Sequence, residues 1–129
     1  SEYNLYQLSH KFASKKIDYK LMDINETTFL KKMIKKYRVN YVFHAAAYKH
    51  VRFLEENLYT AAKNNILGTI SVLEACKNLK INLTIISTDK AVEPESILGL
   101  TKRVFEIFIN PITNSLAERK PIVLIIHTA

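Results

Sequence analysis

Apolar residues recur along this chain with two periods, and the two alternate. Over residues 2–14, Leu5, Leu8 and Phe12 stand three and four apart, which predicts a helix with those three facing inward. Residues 17–24 change to alternation, Ile17, Tyr19 and Leu21 against Asp18 and Lys20, the mark of a strand. Asp23 or Asn25 can cap the next helix, which is expected to run to about Arg38 with Phe29, Leu30, Met33, Ile34 and Tyr37 as its apolar stripe. Residues 40–47 read as another strand and its exit, since Tyr41, Val42 and Phe43 are apolar without alternating, as in a strand covered on both faces. Residues 58–80 then return to helical spacing, with Ile66, Ile70, Leu73 and Cys76 or Lys77 on one face.

The stretch 84–102, TIISTDKAVEPESILGLTK, organises the rest. Thr84, Ile85 and Ile86 are β-branched strand residues. Ser87, Thr88, Asp89 and Lys90 place two hydroxyls, an acid and a base at the strand's carboxyl end, which in an open parallel sheet is where ligands bind. A helix beginning near Ser96 puts Leu98, Lys102, Phe105 and Ile109 on one face, so Lys102 can point back to the strand end. The helix is expected to end before Pro111, residues 112–120 to be loop-like or weakly helical, and residues 121–126, PIVLII, to form a last strand.

Composition narrows the class. With 129 residues, 48% apolar content and five Gly and Pro together, the chain is at most one domain and can bury roughly two-thirds of its unfolded surface. Its lone cysteine, Cys76, suits a reducing cytoplasm and reads as a small buried hydrophobe. No apolar run approaches the roughly 20 residues of a membrane helix, so no membrane segment is expected. A net charge of +7 raises nucleic-acid binding. Its densest cluster, Lys31, Lys32, Lys35, Lys36 and Arg38, falls opposite an apolar stripe as on a solvated helix, and no helix-turn-helix, zinc finger or RNA-binding aromatic motif accompanies it. A nucleic-acid partner is therefore not expected, nor a metal.

Three blocks in order, VFHAAAYKHV at 42–51, KNNILGT at 63–69 and STDKAVEPESILGLTKR at 87–103, resemble the polysaccharide-biosynthesis, CapD-like family of UDP-N-acetylglucosamine 4,6-dehydratases. These belong to the extended short-chain dehydrogenase/reductases. The resemblance implies an α/β fold, here an incomplete Rossmann-like doubly wound parallel sheet comprising strands 3 to 6 with flanking helices, as one partial nucleotide-binding domain over residues 1–129. It implies NAD or NADP as cofactor and a UDP-linked N-acetylhexosamine as substrate. By match, Thr88 polarises O4, Asp89 protonates the leaving C6 hydroxyl, Lys90 takes the C5 proton and Lys102 holds the nicotinamide ribose. Ala45, Ala46, Ala47, Asn65 and Ser87 fall at cofactor-facing positions, Lys49 and His50 at the sugar-nucleotide loop, and Gly68 where the helix nears the sheet. Glu2 is read as a helix-start carboxylate rather than a ribose ligand.

The chain departs from that pattern in several places. Arg52 stands where the family has proline, and Leu98 where the superfamily has the tyrosine that takes the C4 proton. After Ile126 the family continues with arginine, glycine and asparagine, whereas here His127, Thr128 and Ala129 follow, which suggests an excerpt of a longer chain, a truncated gene or a frameshift. The only glycines are Gly68 and Gly99, so the Gly-rich turn that holds a pyrophosphate is lacking. Strand 3 also lacks the two strands that would join it to strand 4 in the order 3-2-1-4-5-6. The expectation is a chain inactive alone, with weak cofactor binding. The alternative is a catalytically silent interaction domain completed by a partner such as a complementary N-terminal chain. By resemblance to the superfamily, whose extended members associate through helices, a homo-oligomer is also implied.

Overall fold

The computed structural model describes residues 2–13, 16–79, 81–115 and 122–128, with side chains as far as residue 109. Three strands, β1 (Tyr41–His44), β2 (Asn82–Thr88) and β3 (Ile122–Thr128), form a parallel sheet in the order β1-β2-β3. Parallel neighbours need crossovers, and helices supply them: α3 (Val51–Glu56), α4 (Leu58–Ala62) and α5 (Gly68–Cys76) between β1 and β2, and α6 (Ile97–Ser115) between β2 and β3. Two further helices, α1 (Glu2–Lys11) and α2 (Thr27–Lys36), precede β1.

The main core gathers Ile34 of α2, Val72, Leu73 and Cys76 of α5, Leu83 and Ile85 of β2, and Phe105 and Ile109 of α6. The inward face expected of α6 is present, and Leu98, Lys102, Phe105 and Ile109 are all buried. Burial pushes the Cys76 thiol up to about 11, as befits a packing residue. The α2 lysines are exposed or half-buried on the side away from Ile34.

Four expectations are corrected. Residues 17–24 do not form a strand, so the sheet holds three of the four expected strands. A strand exists through its hydrogen-bonded neighbour, and among the described residues β1 pairs only with β2 and nothing pairs with residues 17–24. Side chains tether this segment instead: the Tyr19 hydroxyl donates to the Phe12 carbonyl at 2.8 Å, Lys20 pairs with Asp18 at 2.8 Å, and the hydroxyl of Tyr37, just past the end of α2, donates to Asp18. Second, α1 forms but Leu8 and Phe12 are exposed, and among the described residues no strand pairs with the segment that follows them. Third, neither Asp23 nor Asn25 caps α2; Asp23 accepts from the Asn25 backbone N–H at 2.9 Å, closing a turn before the helix, and the position preceding α2 is Glu26 without a side-chain cap. Fourth, α6 runs through Pro111 to Ser115. The proline removes one N–H aimed at the carbonyl of Ile107, a solvent-exposed residue, so the loss falls where water can compensate. Residues 116–120 of the expected loop and Pro121 lie outside the described residues.

Candidate active site

β1 and β2 run parallel with His44 in register with Ile85, so both strands deliver their chains to the same edge and β2 extends three residues further. That extension holds Ser87 and Thr88, both buried. Asp89 and Lys90 follow in a single 3-10 turn (Asp89–Ala91) and are exposed. The Thr88 hydroxyl donates to Asp89 at 3.1 Å and accepts from the Lys90 backbone N–H at 3.4 Å, while the Lys90 ammonium sits 3.3 Å from the same Asp89 oxygen. The bond from Lys90, then that from Thr88, holds the Asp89 carboxyl below its usual range, so Asp89 is ionised in the open site.

Lys102 reaches this turn from α6. Its Nζ is buried, donates to the Ile86 carbonyl at 2.8 Å, and stands 5.6 Å from the centroid of the Phe105 ring. Burial lowers its pKa, and the Glu106 carboxylate one helical turn along opposes that shift. Glu106 itself accepts from the Ser87 hydroxyl at 2.6 Å and lies 3.7 Å from Arg103. The helix carrying Lys102 is fixed at its start by two acceptors, Ser96 Oγ for the Gly99 N–H at 3.2 Å and Glu55 Oε1 for the Ile97 N–H at 2.8 Å. Gly99 is required there, since a Cβ would stand 2.2 Å from the Lys90 carbonyl oxygen.

Beyond β1, Ala45, Ala46 and Ala47 floor an open cleft of about 960 Å³, whose rim includes Lys49, His50, Asp23 and Lys63. Thr88, Asp89, Lys90 and Lys102 are not among its lining residues. The site residues expected from sequence thus fall into two neighbouring groups, a cleft with the alanines and Lys49–His50, and a turn with Thr88–Asp89–Lys90 backed by Lys102.

Asn65 ties the groups together. It is fully buried in a π-helical turn (Lys63–Leu67), a widening often found at functional sites. Its side chain accepts the Tyr48 N–H at 2.8 Å, donates to the Tyr48 carbonyl at 3.1 Å, and donates to Thr101 Oγ1 at 3.3 Å, next to Lys102. Gly68 ends that turn against Ile24, in the unpaired segment rather than on a strand, with space for no Cβ unless Ile24 shifts.

Sequence reasoning missed His44, Thr69, Thr101 and Glu106. His44 is buried on β1, its Nε2 is 3.0 Å from Thr69 Oγ1, and burial, then the charge of Lys102, lowers its pKa to about 4. A polar residue ending an apolar strand was the available signal for it. Glu106 stands four residues after Lys102 on the same helix face, a spacing that pairs charges.

The chain matches the family described as "Polysaccharide biosynthesis protein" over residues 1–127. It belongs to that family. Its relatives include the capsular polysaccharide biosynthesis protein CapD of Staphylococcus aureus, 37% identical over 84% of this chain and 19% of that protein. The probable polysaccharide biosynthesis protein EpsC of Bacillus subtilis is 41% identical over 69% of this chain and 15% of that one. The X-ray structure of Pen from Bacillus thuringiensis superposes with a TM-score of 0.84 and 32% identity, over 97% of this chain and 38% of Pen. The UDP-Glc/GlcNAc 4-epimerase of Campylobacter jejuni, at 18% identity, TM-score 0.77 and coverage of 97% of this chain and 42% of the epimerase, shares the fold. That fold is the Rossmann-like one of the extended short-chain dehydrogenase/reductases, and this chain spans well under half the length of each of these proteins. Among the described residues no helix is long and apolar enough to cross a membrane.

Proposed function

We propose that this chain carries the catalytic turn and the nicotinamide-facing half of the cofactor site of a nucleotide-sugar 4,6-dehydratase of surface polysaccharide biosynthesis, and that it does not turn over alone. The observation that carries the reading is Lys102, buried and bonded to the carbonyl of Ile86, two residues before Thr88 and its Asp89–Lys90 turn, at the same sheet edge as Ala45–Ala47. Related folds bind such groups: a UDP-glucose 4-epimerase of Brucella ovis was solved with NAD, and one of Thermotoga maritima with UDP-glucose.

The residues present fit a nicotinamide cofactor in part. Ala45, Ala46 and Ala47 leave room for a flat ring and Lys102 supplies a cation in the neighbouring group at the end of β2, whereas Ser87 and Asn65, already engaged by Glu106 and Tyr48, are committed to the protein itself. No residue of a Gly-rich turn is available for the pyrophosphate, since Gly68 and Gly99 both lie in helices and neither has positive φ. When bound, NAD or NADP would supply the hydride acceptor for C4 of the sugar and the hydride returned at C6, so that the net change is loss of one water.

The elimination falls to the turn. With C4 at the ketone level and its oxygen hydrogen-bonded by Thr88, Lys90 takes the C5 proton, the C6–O bond breaks, and Asp89 gives a proton to the departing hydroxyl so that water leaves. The open site holds Asp89 ionised beside charged Lys90, the wrong states for these roles. Substrate covering the pair removes water from the Asp89 carboxylate, which favours its protonated form, and a proton passed from Lys90 across their 3.3 Å contact produces the required base and acid together. Leu98 packs with Leu54 and Ala61 and exchanges no proton.

A second reading is favoured by a groove of about 550 Å³ between residues 16–24 and β1, lined by Leu30, Met33, Val42 and Phe43 among others, where a partner chain supplying strands would leave a silent assembly. One experiment separates the two. A thermal-shift titration with NAD+ and NADP+ is expected to show no saturable shift for the 129-residue chain, and a saturable shift once a polypeptide with the first two strands and Gly-rich turn is added. With UDP-N-acetylglucosamine the mixture is expected to release a product lacking one water, at a rate that Asp89→Asn lowers by about a hundredfold or more. A saturable shift for the chain alone would remove the claim that it is incomplete; cofactor binding by the mixture without product would leave the silent assembly.

A further inference from the structure

Thr69 on α5 has one hydroxyl proton and two close polar neighbours, the Asn65 carbonyl oxygen at 2.7 Å and His44 Nε2 at 3.0 Å. The carbonyl has no proton to give, and two bare oxygens do not rest 2.7 Å apart, so the Thr69 proton lies on the line to Asn65. His44 Nε2 must then carry a proton and donate it to Thr69. A neutral ring holds one N–H, so Nδ1 is bare. All of this is buried, on a strand and two adjoining helical turns, so each partner has one geometry.

The chain of bonds leads somewhere. Thr69 fixes the carbonyl of Asn65 inside the π-helical turn, where the ordinary helical ladder is interrupted and an extra bond to that carbonyl constrains how the residue sits. The Asn65 side chain in turn holds both backbone groups of Tyr48, the residue that follows Ala45–Ala47, and touches Thr101 beside Lys102. We infer that His44, in its Nε2–H tautomer, is a positioning residue: by donating to Thr69 it sets the orientation of Asn65 and thereby the path of the 45–48 loop over the cleft. Its functional meaning rests on the reading of that loop as cofactor-facing; the hydrogen-bond relay does not.

The test uses the chain without cofactor, so a failed dehydratase reading leaves it unaffected. Long-range nitrogen–proton NMR of the His44 ring near neutral pH is expected to show the proton on Nε2; a proton on Nδ1 overturns the inference. Amide exchange then reads the consequence. Thr69→Val is expected to speed exchange at the Tyr48 amide about five- to tenfold while the β2 amides keep their wild-type rates, and Thr69→Ser is expected to restore protection at Tyr48. A Tyr48 amide unaffected by Thr69→Val, or one that changes only in step with β2, overturns the proposal. Should Thr69→Val not fold, Thr69→Ser and the wild-type tautomer decide it: the Nε2 proton with a protected Tyr48 amide in the serine variant supports it, and either one missing sinks it.

Discussion

Residues 2–24 and residues 81–109 both carry apolar positions at regular spacing, yet they end in opposite states. In the first region no described residue is fully buried, and Phe12, one of the three expected to face inward, is 49% exposed. In the second, Leu83, Ile85, Phe105 and Ile109 are packed in the core, with Phe105 at 1% exposure. The difference lies in neighbours rather than in pattern. β2 has a parallel strand on each side and α5 and α6 packed against it, so burying its side chains costs no backbone hydrogen bonds. Residues 17–24 have no strand beside them among the described residues, and a lone strand would leave its N–H and C=O groups unpaired. β2, paired on both sides, therefore keeps its pattern in the core, whereas the segment with no described strand neighbour is an extended, side-chain-tethered strap.

The comparison breaks most visibly by truncation. Phe105→Ala should cost about 3–5 kcal/mol and Phe12→Ala under about 0.5 kcal/mol in urea unfolding. Equal costs would mean that α1 packs in solution as firmly as α6 does. A pH series gives the next largest effect. His44 titrates at about 4 when folded and 6.5 otherwise, so the folded chain binds fewer protons in between. Stability should thus be flat above about pH 6.5 and fall as acid is added toward pH 4, by up to about 3 kcal/mol, and His44→Gln should flatten that slope. A wild-type curve level from 7 to 4 would place His44 nearer solvent than it stands on β1.

The two glycines sharpen the comparison further. A Cβ at Gly99 meets the Lys90 carbonyl oxygen at 2.2 Å, backbone of the well-packed half, and Gly99→Ala should cost about 1–3 kcal/mol and move Lys90. A Cβ at Gly68 meets the Ile24 side chain at 2.4 Å, in the strap, which can swing aside. Gly68→Ala should stay within about 1 kcal/mol of wild type, helped by alanine's helix propensity. Calorimetric melting of both variants checks the pair, and a larger loss at Gly68 would show the strap to be the rigid side.

Much of this arrangement is legible in the residues. The inward face Leu98, Lys102, Phe105 and Ile109 follows from helical spacing alone, because that period is a property of the backbone. The three blocks at 42–51, 63–69 and 87–103 announced the family, and STDK at a strand's carboxyl end announced the turn. Other features depended on what stood nearby. Alternation at residues 17–24 could not reveal that no strand would pair with it, since pairing belongs to two segments at once. Pro111 could not reveal that its missing N–H would fall where α6 faces water. The Asn65 clamp on Tyr48, the burial of His44 against Thr69 and the contact of Asn65 with Thr101 bring together residues 17 to 36 positions apart, so no local rule encodes them. Period and propensity are written in each segment by itself; edges, buried hydrogen-bond partners and shifted pKa values exist only once the segments meet, and those were decided by the tertiary structure.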